Sequence, residues 1–155
     1  MGSHDSVLGK VDIHVDADCR SVSITDNGCG IPEEEFTGRL IAFGGSRKRG
    51  KSSRGFRGVG RLAGLGYCQE LIFRSKSAGE RGVNELRWDC RHLKSILRAA
   101  HTKDNLESAV TQVVTERRLQ DNSAVDRSFF QVELKGESFV TETISFSASL
   151  PLQII

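Results

Sequence analysis

A carboxylate and two glycines stand close together in the segment 26–32, whose sequence is DNGCGIP. Asp26, Gly28 and Gly30 follow a run of alternating apolar and polar residues and precede Pro32, so we expect them between a strand and a helix. A carboxylate at a strand end can accept hydrogen bonds from an amino group, and glycines let the backbone approach a flat ligand closely. The segment therefore predicts a ligand site, with an ordinary strand-to-helix turn as the alternative.

A second group of glycines lies in the segment 55–60, whose sequence is GFRGVG and which opens a stretch with helical apolar spacing. Unpaired N–H groups and the positive end of the helix dipole make such a start suitable for phosphate. The order of its glycines differs from that of the dinucleotide-binding fingerprint, and the Walker sequence is absent. The segment predicts an anion site, with a purely structural glycine-rich helix start as the alternative.

Seven cations lie between residues 47 and 61, beside this second glycine group. They are Arg47, Lys48, Arg49, Lys51, Arg54, Arg57 and Arg61. A run of this kind is usually a solvated loop or a nucleic-acid contact. Its position adds a third interpretation, a lid whose cations fold over phosphate oxygens.

Hydrophobic periodicity predicts the elements that position these segments. In chain order they are strands at 11–15 and 22–25, a helix from Pro32 to about residue 43, a loop at 44–60, a helix at 58–67, strands at 71–73 and 83–88, a helix at 90–100, and strands at 110–119 and 129–134. Glu33, Glu34 and Glu35 are interpreted as helix-start charges. Trp88 and Phe73 are expected in the core.

Composition sets further bounds on the class of protein. The 155 residues, 37% hydrophobic, suit one folded domain, and no apolar run is long enough for a membrane span or a secretion signal, so we expect a cytoplasmic protein without a membrane partner. A net charge of +2 is too small to indicate a nucleic-acid-binding protein by itself. The four cysteines and the histidines lack metal-ligand spacing, so we expect reduced, mostly packed thiols and no metal site.

Together, the two glycine segments and their spacing resemble the GHKL ATPase superfamily, which includes DNA gyrase, the ninety-kilodalton heat-shock chaperones, histidine kinases and MutL-type repair proteins. The segment 26–32 looks like the adenine-binding box of that superfamily, and the segment 55–60 looks like its second glycine box. The sequence GFRG, preceded by GSRK at 45–48, is most similar to the chaperone and MutL-like branch. The resemblance covers about residues 11–90.

The resemblance implies an α/β (α+β sandwich) fold of the Bergerat type, with a mixed, mostly antiparallel sheet, helices on one face and ATP beneath a lid at about 44–57. By this match Asp26 accepts the adenine amino group, Gly28 and Gly30 let the backbone lie against the base, and Ile31 walls the pocket. The other residues matched to nucleotide binding are Ser46, Lys48, Gly55, Phe56, Arg57, Gly58, Val59 and Gly60.

One part of the superfamily pattern is not found. An earlier helix should carry a glutamate that activates water and an asparagine that holds Mg²⁺, and only residues 1–10 precede the first strand. Hydrolysis needs both groups, so the resemblance implies an N-terminally truncated module in which binding of ATP is expected and the catalytic residues are unknown. The sheet face that this helix would cover also favours a homodimer.

These observations divide the chain into an N-terminal remnant at 1–10, an ATP-binding domain at 11–135 and a C-terminal extension of uncertain structure at 136–155. The function that they favour is an ATP-binding domain in which nucleotide closes the lid and switches a conformation. Two alternatives stay open: a nucleic-acid-binding module that uses the basic loop 47–61, and a scaffold domain that has lost nucleotide binding. The client protein or nucleic acid is not indicated by the sequence.

Overall fold

The computed structural model describes residues 9–41, 63–99, 106–121, 127–136 and 146–150. Within these residues the chain forms seven strands and four helices. In chain order they are β1 (Gly9–Asp16), β2 (Ser21–Asp26), α1 (Glu33–Ile41), α2 (Ala63–Tyr67), β3 (Glu70–Lys76), β4 (Gly82–Asp89), α3 (Cys90–Ala99), α4 (Leu106–Val113), β5 (Val114–Gln120), β6 (Phe129–Lys135) and β7 (Phe146–Leu150). No helix in these ranges is long and apolar enough to cross a membrane.

The strands form one sheet in the order β5-β4-β3-β6-β2-β1-β7. Every neighbouring pair in the described part of the sheet is antiparallel. The predicted hairpins are present: β1 pairs with β2, and β3 pairs with β4. With helices packed on one face, this arrangement confirms the predicted α+β sandwich.

One face of the sheet carries the core, because directly paired residues of neighbouring strands point to the same face. Leu134, Leu71 and Trp88 form one such row across β6, β3 and β4. The helices α1, α3 and α4 bury apolar side chains against this face, and Phe36 and the predicted core residue Trp88 are both fully buried. Since burial of a large apolar side chain contributes roughly 1.5–3 kcal/mol, this layer is the main source of stability.

The opposite face of the sheet is polar and has a buried carboxylate at its centre. Glu85 is 1% exposed and accepts hydrogen bonds from Arg74 Nε at 2.7 Å and Arg87 Nε at 2.6 Å. Burial alone would raise the pKa of Glu85, but the hydrogen bonds and positive charges of Arg87 and Arg74 outweigh burial and hold this pKa below its usual value. Arg74 also reaches Glu133, so the network joins β3, β4 and β6.

The predicted strand at 110–119 is wrong in its first part. Residues up to Val113 belong to α4, and the strand β5 starts at Val114. Ala109, Val110 and Val113 are buried at helical spacing, and this packing outweighs the β propensity of the valines. The predicted helix at 90–100 and the strand at 129–134 are confirmed as α3 and β6.

The C-terminal stretch contributes the edge strand β7, which pairs with β1 from Gly9 opposite Leu150 to Ile13 opposite Phe146. The sequence did not predict this strand, because its alternation of apolar and small polar residues has no clear end. The division into 1–10, 11–135 and 136–155 stays a prediction.

None of the four cysteines forms a disulfide, and only two of them are packed. Cys68 and Cys90 are fully buried, with their sulfur atoms 3.6 Å apart. Cys19 and Cys29 are exposed, so the expectation of mostly packed thiols is wrong for these two. The reason is their position: Cys19 lies in the β1–β2 turn, and Cys29 lies in the glycine segment after β2.

Candidate functional site

Asp26 is the last residue of β2 and lies on the core face of the sheet. It is paired with Phe130 on β6, and Phe130 is paired with Ser75 on β3, so the three residues form one row on that face. Phe130 stacks on the core residue Phe73, with 6.2 Å between ring centroids. The row therefore places a half-buried carboxylate beside an aromatic ring at the edge of the core.

The two oxygens of the Asp26 carboxylate have different surroundings. Oδ1 accepts a hydrogen bond from the backbone N–H of Gly28 at 2.9 Å, which orients the carboxylate. A Cβ on residue 28 would lie 2.8 Å from the same oxygen, so a larger residue there would displace the Asp26 carboxylate from this orientation. Within the described residues no group donates to Oδ2. That oxygen can therefore accept a hydrogen bond from the amino group of a ligand.

Gly30 is required by both conformation and space. Its φ is +70°, in the left-handed region that side chains rarely adopt. A Cβ at this position would overlap the backbone carbonyl of Lys76 and lie 3.1 Å from the carbonyl oxygen of Phe129. The glycine thus lets the segment after β2 pass close to the ends of β3 and β6.

Ser75 attaches this segment to the sheet. Its fully buried hydroxyl accepts a hydrogen bond from the N–H of Ile31 at 2.6 Å and donates one to the carbonyl oxygen of Phe129 at 3.2 Å. The predicted pocket residue Ile31 is half-buried and packs against the core. Sequence reasoning missed Ser75, which stands between two cations after the apolar residues 71–73; the signal was its place in the alternation of β3, on the same face as Leu71 and Phe73.

Glu80, in the β3–β4 turn, holds the other end of the segment. Its Oε1 accepts the N–H of Glu33 at 2.9 Å, at the first residue of α1, and its Oε2 accepts the N–H of Ser77 at 3.2 Å. The contact satisfies one of the N–H groups that a helix start leaves unpaired. Glu33 also forms an ion pair with Arg118 on β5, in addition to its predicted place at the helix start. The β3–β4 hairpin therefore fixes residues 30–33 at both ends.

The remaining predicted site residues lie outside the described part of the chain. They are Ser46, Lys48, Gly55, Phe56, Arg57, Gly58, Val59 and Gly60. Helix α2, which begins at Ala63, is the first described element after them. The structure thus brings together Asp26, Gly28, Gly30 and Ile31 and adds Ser75, Phe130 and Glu80, while the phosphate side of the site stays a prediction.

Metal binding has no preformed centre in the described part of the chain: none of its His, Cys, Asp and Glu residues form a group of three or more that could hold an ion. Mg²⁺ in nucleotide sites is usually held by one or two side chains together with the phosphates. The described side chains therefore supply no separate metal site.

Comparison with known proteins identifies relatives of this arrangement. The family described as "Histidine kinase-, DNA gyrase B-, and HSP90-like ATPase" matches residues 2–119. No curated protein sequence matches the chain.

Two solved structures of topoisomerase II share the fold. The chain is similar to the ATPase region of Saccharomyces cerevisiae topoisomerase II, with a TM-score of 0.54 and 14% identity over 81% of this chain and 31% of that chain. It is also similar to the ATPase and transducer domains of topoisomerase II from Balamuthia mandrillaris, with a TM-score of 0.52 and 16% identity over the same shares. The chain thus spans less than a third of either structure, and identities this low show the fold alone.

Proposed function

The chain belongs to the family of histidine kinase-, DNA gyrase B- and HSP90-like ATPases, and on this premise we propose that it binds an adenine nucleotide at residues 26–31. The observation that carries the proposal is the Asp26 carboxylate, whose Oδ1 is held by the Gly28 N–H while Oδ2 has no donor among the described residues. An acceptor in a fixed orientation beside Phe130 suits the amino group and flat ring of adenine.

The phosphates of the nucleotide would extend from this end of the sheet toward residues 55–60. Glycine N–H groups at the helix start that the sequence predicts there, together with the nearby cations, would supply the donors and the positive charge that phosphates need. We place Ser46, Lys48, Gly55, Phe56, Arg57, Gly58, Val59 and Gly60 in this part of the site by their match to the superfamily pattern. Mg²⁺ would be held mainly by the phosphates.

Nucleotide binding would act as a conformational switch. Cations in the segment 44–57 would fold over the bound phosphates, so a triphosphate would favour closure more strongly than a diphosphate. The sequences of the segments 45–48 and 55–58 support placement of the chain in the chaperone and MutL-like branch. The proposal covers binding and not hydrolysis, because the glutamate that activates water and the asparagine that holds Mg²⁺ in the superfamily pattern were not found in the sequence.

Calorimetric titration with ADP tests the base-binding part of this proposal. In Asp26→Asn the amide oxygen keeps the contact with the Gly28 N–H, so the amide nitrogen replaces Oδ2 and turns an acceptor into a donor. A hydrogen bond to a charged group is worth about 1.5–3 kcal/mol, so ADP affinity should fall about 10- to 150-fold. GDP should bind the variant relatively better, because guanine presents an acceptor at the equivalent position.

Asp18→Asn is the matched control. Asp18 is an exposed carboxylate in the β1–β2 turn, at the end of the hairpin away from Asp26. Its substitution removes the same charge and should change ADP affinity less than about twofold. Equal ADP affinity of Asp26→Asn and the wild-type chain would contradict the proposal, and so would the absence of ADP binding by a folded wild-type chain.

A further inference from the structure

Helix α3 carries three cations on one side. Arg91, Lys94 and Arg98 are spaced by three and four residues, so they fall on one stripe of the helix. The helix contains no acidic residue. With a rise of 1.5 Å per residue, the stripe spans about 10 Å along the axis. Three positive charges on one side of a helix are a marked local excess in a chain whose net charge is only +2.

Among the described residues, no carboxylate is paired with the cations of this stripe. No described side chain forms an ion pair with Arg91, Lys94 or Arg98. Two acidic residues at this end of the sheet are engaged elsewhere: Asp89 accepts the N–H of His92 at the start of α3, and Glu70 pairs with Arg87. Within the described part of the chain, the stripe therefore presents net positive charge to solvent.

An exposed aromatic side chain lies next to the stripe. Lys94 Nζ donates a hydrogen bond at 3.0 Å to the carbonyl oxygen of Cys68, the residue that follows Tyr67. Tyr67 ends α2 and is 76% exposed, so its ring is available to a ligand that contacts the cations. We call Tyr67, Arg91, Lys94 and Arg98 the α3 surface.

We propose that the α3 surface binds single-stranded nucleic acid. Cations in a row of about 10 Å match the phosphates of about three stacked nucleotides, which rise about 3.4 Å each. The Tyr67 ring supplies a stacking partner for an unpaired base. Neither an acidic peptide nor a duplex has an unpaired base to offer. A membrane surface fits less well, because Cys90 and Leu93 on the apolar side of α3 are buried in the core, and Leu97, which is 52% exposed, is the one large apolar side chain that the described part of this helix leaves for lipid.

This surface is separate from the nucleotide site. Residues 30–33 are held at the Ser75 end of β3, whereas Tyr67 and the start of α3 lie at the Glu70 end of the same strand. The strand has seven residues, so about 20 Å of sheet separates the two ends. Binding at the α3 surface thus does not depend on whether residues 26–31 bind nucleotide.

Fluorescence anisotropy with a labelled oligothymidylate of about 20 nucleotides tests the proposal with the full chain. Each phosphate contact makes the slope of log affinity against log salt concentration more negative by about 0.7. The variant R91A/R98A, which loses two contacts, should therefore have a slope that is shallower by about 1.4. At about 0.1 M salt the same change weakens binding about 25-fold. Lys94 is kept in this variant because it holds the backbone at Cys68. Circular dichroism checks that α3 remains folded.

The matched control is R81A/R127A. Both arginines are exposed, lie outside α3 and have no ion-pair partner among the described residues. It should change affinity less than about threefold and leave the slope unaltered. Tyr67→Ala should weaken binding about tenfold at an unchanged slope, whereas Tyr67→Phe should retain it. A duplex of the same length should bind more weakly than the single strand.

Three results would overturn the proposal. The first is a folded chain that binds vesicles with anionic lipid but not the oligonucleotide, at a salt concentration of about 50 mM. The second is equal weakening of binding by both arginine pairs, which would indicate only bulk charge. The third is wild-type binding by R91A/R98A, which would assign binding to another part of the chain such as the basic loop 47–61.

Discussion

Substitution of Gly30 by alanine should destabilise the protein and impair the nucleotide site together. Alanine at a positive φ costs about 1–2 kcal/mol. The added Cβ would also lie 2.8 Å from the carbonyl carbon of Lys76 and overlap its oxygen, and both atoms belong to the backbone of β3. The segment must therefore move away and lose the hydrogen bond from Ile31 to the buried Ser75, at a further cost of about 1–3 kcal/mol.

The expected loss for Gly30→Ala is thus about 2–5 kcal/mol of unfolding free energy, out of roughly 5–15 kcal/mol for a typical domain. Urea denaturation measures it, with fluorescence of the single, fully buried Trp88 as the probe. Calorimetric titration of the folded variant should show ADP affinity reduced at least about tenfold, because the backbone from Gly28 to Ile31 shifts away from the base.

Gly79→Ala separates the two contributions. Gly79 also has a positive φ, of 87°, but a Cβ there meets no atom within 4 Å. This variant should lose only the conformational cost of about 1–2 kcal/mol and keep full ADP affinity. Equal losses of stability for the two variants, or an unchanged ADP affinity in Gly30→Ala, would contradict a close passage of residues 28–31 against β3.

Three further predictions concern other parts of the fold. Gly38 lies inside α1, where an added Cβ would meet no atom within 4 Å, so Gly38→Ala should raise the unfolding free energy by about 0.5–1 kcal/mol in urea denaturation. The pKa of Glu85 is lower in the folded protein than its usual value of 4.5, so its contribution to stability is present above that pH and is lost as the pH falls through the folded-state pKa. Glu85→Gln should cost about 2–3 kcal/mol at about pH 7 and flatten the acid side of the stability profile, and an unchanged profile would contradict the assigned network. Ellman's reagent should label the two exposed cysteines in the native protein and leave Cys68 and Cys90 unlabelled until urea is added, because their mutual contact and burial keep them inaccessible and raise the pKa of Cys90.

Local patterns were sufficient to predict much of the sheet. The alternation in β1 and β2 and the turn between them predict a hairpin, since both strands expose one polar face. Pro32 and the glutamates after it correctly mark the start of α1. The helix α4 was missed because its valines favour strands in isolation, and only packing of Val110 against the core decides for a helix.

The candidate site was predictable only where one short segment supplies it. Asp26, Gly28 and Gly30 stand within one turn of the chain, and their types indicate the turn geometry that the structure shows. Ser75 and Glu80 accept hydrogen bonds from N–H groups 44 and 47 residues away along the chain. Such contacts depend on which strands pair, and no local spacing encodes this pairing.

Chemical-shift mapping of the ¹⁵N-labelled chain with ADP shows whether the nucleotide binds at residues 26–31, because it reports where a ligand binds. We expect saturable shifts in the amide signals of residues 27–31 and in that of Phe130, with no shifts in the turn at 17–20. In Asp26→Asn the same signals should move only at concentrations of ADP at least about tenfold higher. Saturating ADP that leaves residues 27–31 unshifted, or that shifts only signals elsewhere in the fold, would contradict the claim.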